Sequence, residues 1–164
     1  MALNPQYEVI GKGFVQQYYA LFDDPAQRPN LINMYNTESS FMTFEGLQIQ
    51  GAIKIMEKLT SLTFQKINRI ITAIDSQPMF DGGVLINVLG RLQTDEDRPH
   101  AYIQTFVLKP IGTSFYVQHD IFRLALHDTF RLILYDTATK IMSSAIFSNF
   151  SSAATIRPTI ITDK

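Results

Sequence analysis

A chain of 164 residues, 46% hydrophobic and 18% charged, has the apolar content of a folded domain with one sizeable core, which argues against disorder. Its net charge of -1 provides no basic field for a phosphate backbone, which argues against nucleic-acid binding. With no cysteine there are neither disulfides nor thiolate metal sites, and no segment is long and apolar enough to insert in a bilayer.

Met1-Ala2-Leu3-Asn4-Pro5 lacks the basic region and apolar run of a signal peptide, so the cytosol, or a compartment open to it, is the expectation. Asn4 and Pro5 predict a helix start, with a side-chain acceptor at the cap and the ring in the first turn. Ile10, Phe14, Tyr18 and Phe22 recur every four residues, widened by Val15 and Leu21, which predicts an amphipathic helix stopped by Asp23-Asp24-Pro25. Pro29 opens a short second helix through Leu31, Ile32 and Tyr35. Phe41 to Phe44 reads as a strand, with a hairpin through Glu45-Gly46 to Leu47 and Ile49. Ala52 to Leu59 carries helical spacing at Ile55 and Leu59. From residue 65 the period falls to two, and Ile67, Arg69, Ile71 and Ala73 share one face of a long strand. Asp81-Gly82-Gly83 marks a turn before a strand from Val84 to Leu92, with Gly90 as a bulge or bend. Ala101 to Leu108 and Ser114 to Leu126 follow, joined by a turn at Lys109-Pro110-Ile111-Gly112.

Helices first and a long antiparallel meander after them make an α+β chain in which a curved sheet wraps N-terminal helices as a cone. Strands apolar on both faces, such as Val84-Leu85-Ile86 and Ile121-Phe122, leave one sheet face to be covered. A second copy of the chain is the economical cover, so a homodimer is expected. Residues 1–127 form the expected domain. Residues 128–164, rich in serine and threonine, read as an atypical, weakly structured extension, with a short strand at Arg131 to Tyr135 and a weak helix at Ile141 to Phe150.

The chemistry concentrates in Thr43-Phe44-Glu45-Gly46 and in Asp95-Glu96-Asp97, which both set carboxylates beside apolar segments. On an extended segment Asp95 and Asp97 share one side and Glu96 the other. Such charges also gather at ordinary solvated strand ends. His100, His119 and His127 are far apart in sequence and none has a neighbour at metal-ligand spacing, so no metal and no cofactor is expected. A greasy hollow edged with acid suits a protein partner that offers an aromatic side chain with lysine or arginine beside it. The enzymatic alternative is acid–base work in the hollow, for which Tyr18 facing an inward Asp75 or Asp120 is the constellation required. A carrier is expected to lack a buried carboxyl–tyrosine pair.

The chain resembles the nuclear transport factor 2 family from about Pro5 to His127. The resemblance rests on Gly13-Phe14-Val15-Gln16-Gln17-Tyr18-Tyr19, Leu21-Phe22-Asp23, Glu45-Gly46, Gln50-Gly51, Glu57-Lys58-Leu59, Leu62-Thr63-Phe64-Gln65-Lys66-Ile67, Asp75-Ser76-Gln77-Pro78, Asp95-Glu96-Asp97 and Phe122-Arg123-Leu124-Ala125-Leu126-His127. It implies a dimeric, non-enzymatic carrier that binds the GDP-bound form of the small GTPase Ran and pore proteins with Phe-Gly repeats, and that works between cytoplasm, nucleus and nuclear pore. It places Glu45, Asp95 and Asp97 at an acidic rim for Ran, and Phe44, Leu62, Phe64, Ile67, Leu92 and Phe122 in the cavity lining. Tyr7 stands where the family commonly has a tryptophan that engages repeats, and a smaller ring stacks over less area. The alternative within the same resemblance is a subunit of a messenger-RNA export heterodimer; an isomerase or dehydratase of the same cone is the enzymatic one.

Overall fold

The computed structural model describes residues 3–125. Helix α1 runs Tyr7–Asp23. It starts later than Asn4-Pro5 predicts: Asn4 Oδ1 accepts the Gln6 N–H at 2.9 Å in a turn ahead of the helix, and Gln6 takes the cap position. The stop is as predicted. Asp24, the residue before Pro25, is extended and caps the Ala26 N–H through its side chain. Arg28–Met34 is a 3₁₀ helix with Pro29 in its first turn. Strands β1 (Phe41–Phe44) and β2 (Leu47–Gln50) form the expected hairpin, and α2 spans Ala52–Thr60.

Four long strands follow: β3 (Ile67–Pro78), β4 (Val84–Thr94), β5 (His100–Ile111) and β6 (Ser114–Leu124). The sheet order is β2-β1-β6-β5-β4-β3. The meander β3–β6 is antiparallel, whereas β1 lies parallel to β6, with Phe41 opposite His119 and Phe44 opposite Phe122. The six-stranded sheet is therefore mixed, a departure from the antiparallel expectation within the α+β class.

Two local differences have clear causes. Strand β5 continues through Lys109, Pro110 and Ile111, so the turn is confined to Gly112 and Thr113. The register slips in β3 between Ile71 and Ala73, opposite Gly90 rather than at it. Gly90 is needed for close approach, since a Cβ there would lie 2.7 Å from the Tyr102 ring and 2.5 Å from the Ile70 carbonyl oxygen.

The core forms where α1, the 3₁₀ helix and α2 meet the inward sheet face. Val15, Leu31, Ile55, Leu59, Ile86 and Phe106 are fully buried, each contributing on the order of 2 kcal/mol. The alternate residues of β1, β4, β5 and β6 form the outer face. There Phe41, Leu89, Ile103 and Ile121 are 45 to 48% exposed, a greasy strip across four adjoining strands.

Candidate functional site

One end of the sheet carries both acidic segments singled out in the sequence. The ends of β1, β4 and β6 and the starts of β3 and β5 lie together, so the Glu45 turn and the Asp95–Asp97 turn share that end. All three rim carboxylates are exposed. Two also hold their own turns. Glu45 has a left-handed backbone, φ 50°, and one carboxylate oxygen accepts the Leu124 N–H at 2.5 Å. Asp95, φ 49°, accepts the N–H groups of Gln65 and Lys66 at 3.0 and 2.9 Å. Asp97 makes a longer contact, 3.4 Å, with the Thr94 hydroxyl. Residues 95–97 turn rather than extend, so alternation along a strand does not orient them. The second carboxylate oxygens of Glu45 and Asp95 make no hydrogen bond among the described residues.

The six residues expected as lining are each half-buried or buried. The rings of Phe44 and Phe122 stack at 4.9 Å, and Phe122 stacks on Tyr102 at 5.8 Å. Phe64 tilts against Phe22 at 6.4 Å. Leu62 is half-buried in the irregular stretch between α2 and β3. Ile67 and Leu92 line a groove of about 400 Å³ with Arg69 and Arg91.

Sequence reasoning missed two arginines here. Arg69 forks onto Asp23, with contacts of 2.7 to 3.1 Å, and its guanidinium carbon lies 3.9 Å from the Tyr19 ring centre and 5.0 Å from that of Tyr102. Asp23 holds the Arg69 cation more tightly than burial disfavours it, so its pKa is raised. Arg28 is 3% exposed; its Nε donates to the Phe22 carbonyl at 2.8 Å and its Nη1 to the Leu62 carbonyl at 3.3 Å. The signal for Arg69 was present, since an arginine on the apolar face of a strand needs a carboxylate partner. For Arg28 no periodicity gave notice.

Deeper in the core, Asp120 is fully buried and accepts three hydrogen bonds: from Tyr35 at 2.7 Å, Gln104 at 2.8 Å and Tyr18 at 3.1 Å. Gln104 in turn accepts from Tyr19 at 2.9 Å. Burial pushes the Asp120 carboxyl from 3.8 up to about 6, held back by those three donors. The Tyr18 and Tyr35 hydroxyls are driven well above their ordinary value by burial and by the neighbouring carboxylate. The carboxyl–tyrosine pair anticipated for an enzyme is thus present, contrary to the expectation for a carrier. It is, however, sealed: both oxygens of Asp120 are engaged and Tyr18 is 1% exposed. The network ties β6 to α1 and to the end of the 3₁₀ helix. Asp75, the other candidate acid, is exposed on a separate groove beside Glu8 and Lys12. Among the described residues no three of His, Asp and Glu converge as metal ligands.

Tyr7, the first residue of α1, is half-buried against the core edge, and its hydroxyl reaches Glu8 at 3.5 Å. The neighbouring Val9 is 73% exposed. His127 and residues 128–164, including the strand and helix predicted there, lie outside the described residues.

A curved mixed sheet holding three helices against its inner face defines the cone class of α+β domains, nuclear transport factor 2-like or cystatin-like. Within it, the family description "Nuclear transport factor 2 (NTF2) domain" matches residues 10–124, and the chain belongs to the nuclear transport factor 2 family. A curated relative from Caenorhabditis elegans, named "Probable nuclear transport factor 2", is 45% identical over 130 residues, covering 77% of this chain and 98% of the relative. The nuclear transport factor 2 of Saccharomyces cerevisiae is 45% identical over 124 residues, covering 74% of this chain and 97% of the yeast protein. The solved structure of nuclear transport factor 2 from Cryptosporidium parvum superposes with a TM-score of 0.71 at 39% identity, covering 76% of this chain and 98% of that one. These relatives are named as transport factors, not as enzymes.

Proposed function

We propose that this chain is a homodimeric nuclear transport carrier that captures GDP-bound Ran and engages Phe-Gly repeat nucleoporins, moving between cytoplasm and nucleus through the pore. The observation that carries the proposal is that the Glu45 turn and the Asp95–Asp97 turn fall at the same end of the sheet, the end that also bears the stacked rings of Phe44 and Phe122. A partner's aromatic would lodge among those rings while its lysine or arginine neighbours pair with the exposed carboxylates. Charges at such a rim steer encounter and select the partner more than they add affinity. The test is a pull-down with Ran loaded with GDP or with GTP, using the full chain and a version ending at His127. Selective retention of the GDP form by both supports the carrier; equal retention of both forms, or of neither, overturns it.

The greasy outer strip gives the dimer its physical reason. Ile103 and Ile121 lie on adjoining central strands, and the Thr105 hydroxyl on the same face donates to Asn87 Oδ1 at 2.9 Å across β5 and β4. Ile103→Asp would bury a charge without a counter-ion at a paired face, at a cost of several kcal/mol. Sedimentation of that variant at micromolar concentration is expected to show a monomer where the parent chain sediments as a dimer; an unchanged dimer would remove this face from consideration.

Tyr7 and the exposed Val9 beside it form the apolar start of α1. Tyr7→Ala is expected to weaken Phe-Gly peptide binding by about 1 kcal/mol, roughly fivefold, while Ran-GDP capture holds. An equal loss of both would contradict the assignment of the two partners to separate surfaces.

A further inference from the structure

Helix α1 contains two glycines, and the fold explains one of them. A Cβ at Gly11 would lie 2.1 Å from the Ser76 hydroxyl oxygen, so α1 packs on β3 there only without a side chain. Gly13 is different. It is exposed, and a Cβ there would meet nothing within 4 Å among the described residues. Glycine inside a helix destabilises it relative to alanine through backbone entropy, and neither close packing nor a turn calls for it at residue 13. The missing side chain leaves bare main chain on the wall of a groove.

That groove, about 500 Å³, lies between α1 and the 3₁₀ helix, with residues of β5 and β6 at its base. Its α1 side runs from Val9 to Leu21, roughly 18 Å, room for about five residues of extended chain. Phe14, Met34 and Phe115 line it half-buried, and Phe106 holds the Phe14 ring edge-on at 5.0 Å. Its polar groups are neutral amides: Gln17 from α1, and Asn30 and Asn33, which a three-residue turn sets one above the other. Among the described residues no charged side chain lines it. Glu8 and Lys12 of α1 line the separate groove beside Asp75, and Asp23 pairs with Arg69.

We propose that this groove is a second seat for an uncharged, extended peptide bearing an aromatic side chain, the chemistry of a Phe-Gly repeat. Tyr7 is not among its lining residues, so the seat adds to the repeat-binding role proposed above and depends on that role. A charged segment would find no counter-ion there. Side-chain amides both donate and accept, which suits a peptide main chain passing between them. Phe14, Phe115 and the Met34 thioether suit a ring. Gly13 lets the peptide main chain come close to the helix.

The isotope-labelled full chain is titrated with a capped peptide of two Phe-Gly units spaced by serine and glutamine. A control peptide has alanine for each phenylalanine. The Gly13 amide and the side-chain amides of Gln17, Asn30 and Asn33 are expected to shift with the first peptide and not with the second, and to do so still in Tyr7→Ala. Gly13→Ala is expected to melt higher than the parent, since alanine is the better helix former, yet to bind at the groove about fivefold more weakly, since its methyl group fills the close approach. Gly13→Glu should melt no lower than the parent and lose the groove shifts altogether. Shifts confined to the surroundings of Tyr7 would overturn the second seat and leave the repeat-binding role standing; no shift at either place would remove both. Groove shifts equal for the two peptides, groove affinity unchanged in both Gly13 variants, or a Gly13 resonance that moves with protein concentration alone, the mark of a second copy, would also overturn it.

Discussion

Replacing Glu45 by lysine is expected to weaken capture of GDP-bound Ran by about a hundredfold, because a like charge opposite the partner's cations costs about 3 kcal/mol. Glu45 has a second role, since its carboxylate accepts the Leu124 N–H that closes the end of β6 against the hairpin. Loss of that exposed bond costs about 1 kcal/mol of stability and a few degrees of melting temperature. Glu45→Gln separates the two roles: it keeps an acceptor for Leu124 and removes the charge. Its affinity is expected to fall about tenfold while its melting temperature stays near the parent's. Surface plasmon resonance with Ran-GDP at two salt concentrations reads both variants, and the parent should lose affinity with salt more steeply than Glu45→Gln. Unchanged affinity in Glu45→Lys would end the case for an acidic rim.

The second large effect is a pH dependence set by Asp120. Its proton is held to about pH 6 in the folded chain against 3.8 ordinarily, so the folded state binds more protons than the unfolded one between those values. The stabilising contribution is therefore complete below about pH 4 and is lost as pH rises through about 6, a change of about 3 kcal/mol. Asp120→Asn should remove it. An amide accepts from Tyr18 and Tyr35 as the carboxylate does, and its donor side is accommodated if the Gln104 amide reverses and donates to Tyr19. Urea midpoints of parent and variant from pH 4 to 7 are expected to diverge, with Asp120→Asn gaining relative stability up to about pH 6 and keeping it above. Parallel curves would show that Asp120 does not titrate in this range. Asp120→Ala, by contrast, strands two hydroxyls and an amide and should cost about 3 to 5 kcal/mol at any pH.

The elements built from local pattern were legible. The four-residue stripe of Ile10 to Phe22, the Glu45-Gly46 turn and the spacing of Ile55 and Leu59 each name their structure, because a helix stripe or a two-residue turn is decided by nearby residues. Where the decision is made across the chain, sequence fell short. Pro110 reads as a breaker, yet Phe115 stands opposite and the strand runs on. The parallel pairing of β1 with β6 has no local signature at all. The same division holds for the site. The acidic residues were visible as candidates, but the left-handed turn at Asp95, which anchors the stretch before β3 rather than extending, depends on Gln65 and Lys66 about thirty residues away. Asp120 was one of two acids singled out as inward. That it would be sealed by two tyrosines from different helical segments, instead of facing an open hollow, is a property of packing.

The placement of β1 beside β6 bears on how the chain is made. Glu45 and Leu124 are separated by 79 residues, and the hairpin that bears Glu45 finds its neighbour in the sheet only in β6. On the ribosome, β1 and β2 are therefore exported early and wait with an unsatisfied edge until translation has passed Leu124. A nascent polypeptide stalled before that point exposes an aggregation-prone ribbon, and a chaperone that shields residues 41–50 would act during that interval.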